Sequence, residues 1–489
     1  MKILGISAHY HDSAAAIVVD GRVVSASQEE RFTRKRHDAA FPTQAIAASL
    51  AQAGLSQQEL DAVVFYDKPL LKFERILDTH FATWPASLPS FLKAMPVWLK
   101  EKLWATRDHG KRLSEYQGPL LYSGHHLSHA ASAFYSSPFE RAAVLTVDGV
   151  GEWSTCTLGL GEGTKLELQR EIRFPHSLGL LYSAITGFLG FKVNSGEYKV
   201  MGLAPYGEPR FLSHFKELLH VHEDGSFSLA PRYFRYAGGL RMFGPRLGQL
   251  FGVPARDPKA PLEQVHKDIA RSLQVATEDA MLALARAAHR LTGASALCLA
   301  GGVALNCVAN GRVLREGPFE SLFVQPAAGD AGGALGAAQY VAHAVHGDPR
   351  HALEHAYLGP RFSQESCTWA IGNLPHHTYS SEDALLAGAV DRLEAQEVIG
   401  FFHGAMEFGP RALGHRSILA DPRQADMRRV VNEKVKMREG FRPFAPAVPI
   451  ERCAEWFDLA VESPYMLLTA SVRQGGIPAV THVDGSARV

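Results

Sequence analysis

The side chains with the clearest capacity for chemistry are His125 and His129 in GHHLSHAASAFY, Asp148 in VLTVDGVGEW and Asp330 in QPAAGDAGGALGAA. Two histidines four residues apart share one face of a helix and can grip a single ion. Each aspartate sits beside glycine after an apolar run, where a strand would deliver a carboxylate to a site. Two imidazoles and two carboxylates form a mixed nitrogen and oxygen set suited to iron, manganese or zinc, with positions left for water or phosphate oxygens. The bland alternative is a buried histidine pair with two turn aspartates, the commoner fate of an isolated His-x-x-x-His. His126 rivals His125, but only 125 and 129 have the four-residue spacing.

Other clusters suggest anion handling. HYHDSAAA places His9, His11, Asp12 and Ser13 in the turn after the first strand, where short polar groups can offer donors to a phosphate or a reacting carbonyl, although turns favour Asp and Ser in any case. Close by, EERFTRKRHDAAFP carries Arg34, Lys35, Arg36 and His37, a run that is more often simply solvated. GGVALNCVAN sets glycines between a strand and a helix, so that backbone can approach a nucleotide and the helix start can favour its charge. GDAGGALGAAQ offers a second such turn with Asp330, and the two would flank one nucleotide. SGEYKVMGLAPYG combines Glu197 and Lys199 with glycines, and is either a binding segment or a surface hairpin. Near the C-terminus, Arg411, His415, Arg416, Lys436, Arg438 and Arg442 concentrate phosphate-type ligands around turns. A surface basic patch is the alternative; the interspersed glycines and prolines favour a shaped anion pocket.

The elements that must position these groups are readable as well. KILGISAH, AAAIVVD and RVVSASQEE predict three consecutive strands, the latter two joined by an Asp20-Gly21 hairpin turn. The same order returns at AAVLTVDGVGEW, STCTLGLG and KLELQREI. Two such units suggest an internally duplicated α/β domain with a cleft between its halves. The apolar, aromatic segment 83–104 predicts a helix packed on its own domain, with membrane-surface attachment as the rarer reading. Residues 265–291 predict a long amphipathic helix followed by the strand ALCLAG. HGDPRHALEH breaks the pattern around His346 to His355, which sets the expected domains at 1–347 and 348–489.

Composition narrows the class. A chain of 489 residues exceeds one hydrophobic core, and 50 basic residues against 50 acidic ones leave no footprint for nucleic acid or an acidic membrane. The five cysteines are an odd set without close paired spacing, which argues for a reducing setting rather than a disulfide framework. The N-terminus runs straight into a strand pattern without a signal-peptide layout, and no run reaches membrane-spanning length, so the expected location is cytoplasmic.

HDSAAA, EERFTR, GHHLSHAASAF, VDGVGEW, SLGLLYS, NSGEYKVMGLAPYG, GGVALN, GDAGGALGAA and FGPRALGHRSILADPR resemble, in order and spacing and over almost the whole chain, the O-carbamoyltransferases of antibiotic biosynthesis and nodulation-factor decoration. The resemblance implies an α/β chain whose N-terminal domain has the actin-like ATPase fold, two RNase-H-like halves around a nucleotide cleft, plus a YrdC-like C-terminal α/β domain that forms carbamoyl-adenylate. It further implies carbamoyl phosphate and ATP as substrates, and transfer of the carbamoyl group to a hydroxyl-bearing acceptor, with no nucleic acid or membrane partner and a homodimer as one possible assembly.

Residue by residue, the resemblance makes His125, His129, Asp148 and Asp330 ligands of a divalent metal, with iron favoured over manganese or zinc. His11, with Asp12, stands beside the carbamoyl group as base or donor. Gly301, Gly302 and Asn306 line the adenosine side, joined by Glu197 and Lys199. Arg411, Arg416, Lys436 and Arg442 match the pocket for carbamoyl phosphate and adenylate formation. Arg36 holds the place where the family commonly has Lys, a substitution that permits clamping of an oxygen but not base chemistry. The family continues beyond THVDGSARV with a further Asn-Thr-Ser-Phe-Asn type motif, so the C-terminal domain is expected to be incomplete here, and the chain either a fragment or impaired in activation. Two other readings stay open at this point: a transferase of the tRNA threonylcarbamoylation type, and a non-catalytic nucleotide-binding partner.

Overall fold

The computed structural model describes residues 1–100 and 102–489; Glu101, inside the apolar segment 83–104, lies outside the described residues. The chain forms two compact units, Met1–Glu354 and His355–Val489.

In the first unit, KILGIS and AAAIVV have almost no polar side chains, and both strands are buried on both faces. These are β1 (Lys2–Ser7) and β2 (Ala14–Val19), followed by β3 (Arg22–Gln28), β4 (Ala62–Phe65) and β5 (Leu120–Tyr122). The β2–β3 turn uses Asp20 and Gly21 with φ of 48° and 79°, the positive values that a tight hairpin requires. The sheet order is β3-β2-β1-β4-β5, antiparallel across the first three strands and parallel from β1 through β4 to β5.

The second half repeats this plan. It comprises β6 (Arg141–Val147), β7 (Ser154–Glu162) and β8 (Lys165–Arg173), a separate small hairpin β9 (Leu219–Val221) and β10 (Phe227–Leu229), then β11 (Ala296–Ala300) and β12 (Ser321–Val324). Its sheet order is β12-β11-β6-β7-β8, again antiparallel over the three consecutive strands and parallel for the rest. Two sheets of matching order make the duplicated α/β domain expected from the repeat, in the RNase-H-like, actin-like arrangement that the resemblance implies. The long helix Gln264–Thr292 covers the residues its apolar periodicity predicts.

One helix makes unusually close approaches. The Asp330–Tyr340 helix, DAGGALGAAQY, packs on β1 and on the His125–Phe134 helix. A Cβ on Gly5 of β1 would lie 1.9 Å from the Ala334 carbonyl oxygen, and one on Gly336 would lie 1.8 Å from that of Ser128. Both contacts are backbone against backbone, so no side chain can be accommodated at either position.

The segment after β4 folds as two helices, Pro69–Ala82 and Leu88–Lys100. His80 and Trp98 are buried, and His80 stacks on Phe91 at 3.8 Å. Leu70, Phe81, Trp84, Leu92 and Leu99 remain more than half exposed. Among the described residues no helix is long and apolar enough to cross a membrane.

The second unit is smaller. It contains the antiparallel pairs β13 (Ile399–Phe402) with β14 (Arg416–Leu419) and β15 (Thr469–Ser471) with β16 (Ser486–Arg488), and the helices Gln364–Ile371 and Glu382–Glu394. One of its apolar clusters gathers Phe457, Ala470, Ile477, Ala487 and Val489.

Candidate metal centre and anion sites

The His125–Phe134 helix starts directly after Gly124, so both ligand histidines lie on its first two turns, and the helix is almost wholly buried. Asp148 follows β6 at once, as a strand-end carboxylate should. Asp330 arrives differently: it is the first residue of a helix, not the tip of a strand, and the glycines after it pack that helix rather than forming a turn.

The four groups meet. Nε2 of His125 is 3.0 Å from Asp148 Oδ2 and 3.2 Å from His129 Nε2, while His129 Nε2 is 3.6 Å from Asp330 Oδ1 and 3.8 Å from Asp148 Oδ2. His125 Nε2 is 3.8 Å from Asp330 Oδ1, and one ligand atom from each residue falls within 4.8 Å of all the others. With metal–ligand bonds of about 2.0–2.2 Å, ligand atoms of one ion lie within about 4.4 Å of each other, so the set fits a divalent metal with little movement. The chemistry of the donors agrees: two inward-facing imidazole nitrogens and two carboxylates in a buried place suit a cation.

Electrostatics point the same way. Burial opposes a charged His125, but the Asp148 hydrogen bond and the Asp330 charge outweigh it and hold its pKa above the ordinary value. Burial likewise works against ionised Asp148, yet the His125 hydrogen bond and the neighbouring imidazoles keep its carboxyl well below the usual range. His126 turns away: Nδ1 lies 2.6 Å from Thr146 Oγ1, and burial, with the nearby His125, pushes its pKa down to about 3. It is not part of the cluster.

Glu152, Tyr66, Asp67 and Lys72, which support the quartet, escaped the sequence reading, whereas Gly302 was expected at a nucleotide. Glu152, in the loop after Asp148, accepts the His125 backbone N–H with both carboxylate oxygens at 3.0 and 3.1 Å, and the Lys68 N–H at 2.9 Å. The Gly302 N–H donates to Asp148 Oδ1 at 2.9 Å, leaving Oδ2 for the histidines. Tyr66, directly after β4, donates its hydroxyl to Asp330 Oδ2 at 3.3 Å; Lys72 lies over its ring and pairs with Asp67. The available signal for Tyr66, Asp67 and Lys72 was polar residues at the C-terminal end of the apolar run AVVF, where a strand opens onto a site.

The turn after β1 adjoins the quartet. His11 Nδ1 is 2.9 Å from Asp12 Oδ2 and 3.9 Å from Asp330 Oδ2; burial opposes its charge, but Asp330 and Asp12 raise its pKa to about 9. Asp12 also holds His37 Nδ1 at 2.7 Å through its other oxygen. Arg36 is directed elsewhere, to the Tyr198 hydroxyl at 3.2 Å with its guanidinium 5.2 Å from that ring. His37 has φ of 55°, and this turn sends His37, rather than Arg36, onto Asp12.

Of the expected nucleotide residues, Gly301 has φ of 91°, and a Cβ there would lie 2.3 Å from the Val147 carbonyl oxygen. Asn306 caps the Cys307–Glu316 helix by accepting from Ala309 N–H and pairs with Gln274 at 3.0 Å. Glu197 and Lys199 sit on a helix, Glu197–Leu203, not a surface hairpin. The Glu197 carboxylate gathers Ser183 Oγ at 2.7 Å and the N–H groups of Asn194 and Gly196, while the Lys199 ammonium lies 5.8 Å from the Phe191 ring centre.

In the second unit, Arg416 pairs with buried Glu407 at 2.8 Å and donates to the carbonyls of Gly409 and Arg411. His415 stacks on Tyr357 at 3.6 Å. Burial, together with Arg438 and Arg442, lowers the Lys436 pKa, the situation of a cation gathered among like charges. Arg438 itself is held by Asn432 at 2.7 Å.

The duplicated sheets and the buried quartet between them define an actin-like α/β protein with a candidate metal centre. Residues 2–339 match the family description "Carbamoyltransferase N-terminus" and residues 390–489 "Carbamoyltransferase C-terminus". The chain belongs to the carbamoyltransferase family and is an enzyme of that class. It is 51% identical to the uncharacterized protein sll1178 of Synechocystis sp., over 100% of this chain and 86% of that one. It is 38% identical to Nodulation protein NolNO of Sinorhizobium fredii, over 98% of this chain and 69% of the relative. Among solved structures, component A of Acidaminococcus fermentans (R)-2-hydroxyglutaryl-CoA dehydratase overlays at a TM-score of 0.39 with 15% identity, covering 71% of this chain and 99% of that one. The duplicated strand order, not this overlay, defines the fold.

Proposed function

We propose that the chain is an ATP-dependent O-carbamoyltransferase that converts carbamoyl phosphate to carbamoyl-adenylate and passes the carbamoyl group to an acceptor hydroxyl. The observation that carries this reading is the convergence of His125, His129, Asp148 and Asp330 at metal-ligand spacing in a chain of the carbamoyltransferase family.

In this reading the first unit performs transfer. His125, His129, Asp148 and Asp330 hold a divalent metal, iron before manganese or zinc, which when bound stabilises negative charge on a nucleotide phosphate. Gly301, Gly302 and Asn306, with Glu197 and Lys199, border the adenosine. His11 has its Nδ1 engaged by Asp12, so Nε2 is the atom that meets the acceptor. The acceptor oxygen bonds to the carbamoyl carbon, the bond from that carbon to the adenylate phosphate oxygen breaks, AMP leaves, and the hydroxyl proton passes to the AMP phosphate, with protonated His11 as a hydrogen-bond donor beside the reacting group. Arg36, on Tyr198, serves as an oxygen clamp.

The second unit, YrdC-like in this reading, activates carbamoyl phosphate with Arg411, Arg416, Lys436 and Arg442 around the anion. Water cleaves the bond between the carbamoyl group and its phosphate, releasing inorganic phosphate and carbamate, and a carbamate oxygen then attacks the α-phosphate of ATP, releasing pyrophosphate. The five thiols, unbonded to each other and three of them buried, fit a reducing cytoplasm.

Carbamoyl-phosphate-dependent release of AMP from ATP tests the whole scheme, and nucleotide binding without turnover would sink it. For the metal, His129→Ala should remove bound metal and carbamoyl transfer together; full metal content and activity in that variant would overturn the assignment.

A further inference from the structure

Between Asp224 and Asp257 the chain carries five arginines, at 232, 235, 241, 246 and 256, and no acidic residue. Two are satisfied locally. Arg232 pairs with Glu217 at 3.7 Å, and Arg256 bonds the carbonyls of Leu189 and Ala260. Arg235 and Arg241 are exposed, and among the described residues neither guanidinium has an ion-pair or hydrogen-bond partner.

These two arginines border an open cavity of about 810 Å³ whose wall includes Phe188, Phe243, Pro245 and Val253 and contains no acid. Ligand pockets commonly span roughly 300–1,000 Å³, and a mainly apolar wall with a few convergent polar groups is their usual character. Two unpaired guanidinium forks beside aromatic rings suit a ligand with an oxyanion on a flat or apolar body.

The cavity is a loop away from the candidate catalytic turn. A Cβ on Gly187 would lie 3.2 Å from Val193 and 3.4 Å from Phe243, so Gly187 stands between Phe243 of the wall and Val193. The next residue, Asn194, hydrogen-bonds Tyr10, whose ring lies 4.4 Å from that of His11.

We propose that this cavity is the acceptor subsite, and that the acceptor carries a carboxylate or phosphate held by Arg235 and Arg241 while its hydroxyl extends toward His11. The inference rests on the carbamoyl-transfer reading above.

Binding of phenyl β-D-glucoside, the corresponding glucuronide and the corresponding 6-phosphate to the full chain, measured by titration calorimetry, tests it. At least one charged probe should bind roughly tenfold or more tightly than the neutral one, and which one does so identifies the oxyanion. The preference should vanish in R235A/R241A and fall in R241Q, with carbamoyl-phosphate-dependent exchange of pyrophosphate into ATP, which needs no acceptor, retained in both. Equal binding of all three probes, or a preference that survives the double variant, would overturn the inference alone. Absence of that exchange in the unaltered chain would overturn the adenylate reading and the acceptor role with it.

Discussion

Asp330 is shared between two tasks, and its two oxygens divide them. Oδ1 faces the histidines, while Oδ2 receives the Tyr66 hydroxyl and lies near His11. Removing that hydroxyl should loosen the carboxylate without emptying the site. Tyr66→Phe is expected to weaken metal affinity by about tenfold, within the range typical for groups that orient a ligand, and competition with a chelator would show it; unchanged affinity would make the tyrosine merely a packing residue. In the second unit, Glu407 is tied to Arg416 and also accepts the N–H groups of Leu413 and His415. Glu407→Ala leaves the partly buried Arg416 guanidinium without its carboxylate partner, a change of up to about 3 kcal/mol, so thermal unfolding of this variant should begin at lower temperature.

At the scale of elements, the Asp330–Tyr340 helix shows what a sequence conceals. The spacing of His125 and His129 was legible because helical periodicity is local, and the duplicated strands were legible because buried apolar runs announce themselves. GDAGGALGAA was misread as a turn since Gly-rich stretches serve both loops and close helix contacts, and only the neighbours distinguish these. The partners here are Gly5 and Ser128, far away in the chain. Arg36 and His37 fall under the same limit, because a left-handed turn decides which of two adjacent side chains reaches Asp12. Glu152 and Tyr66 were invisible for a related reason: their roles are defined by groups they touch, not by their own spacing. Gly336→Ala should cost about 1–3 kcal/mol or more through forced separation of the two helices, and should lower metal occupancy along with melting temperature. A variant with unchanged stability would show that the helices have room to part.

At the scale of the molecule, the candidate centre draws its four ligands from a helix at 125–134, the end of β6 and a helix beginning at 330. Those segments are brought together by parallel pairings of large sequence separation, such as Leu297 beside Ala143 and Ile3 beside Ala62. Contacts of this kind form late, because closing long loops costs entropy before any pairing rewards it. No short stretch of the nascent chain therefore holds a complete ligand set. A metal held by the quartet would therefore arrive at a folded protein rather than guide the folding, unlike a zinc finger. Chain stripped by chelation should keep its circular dichroism spectrum and melt cooperatively, and readdition of metal should raise the melting temperature without a refolding step. If the quartet holds an ion as proposed, the duplicated topology makes loading, not folding, the stage at which its identity is chosen, and leaves that choice to whatever metal the cell supplies to the finished protein.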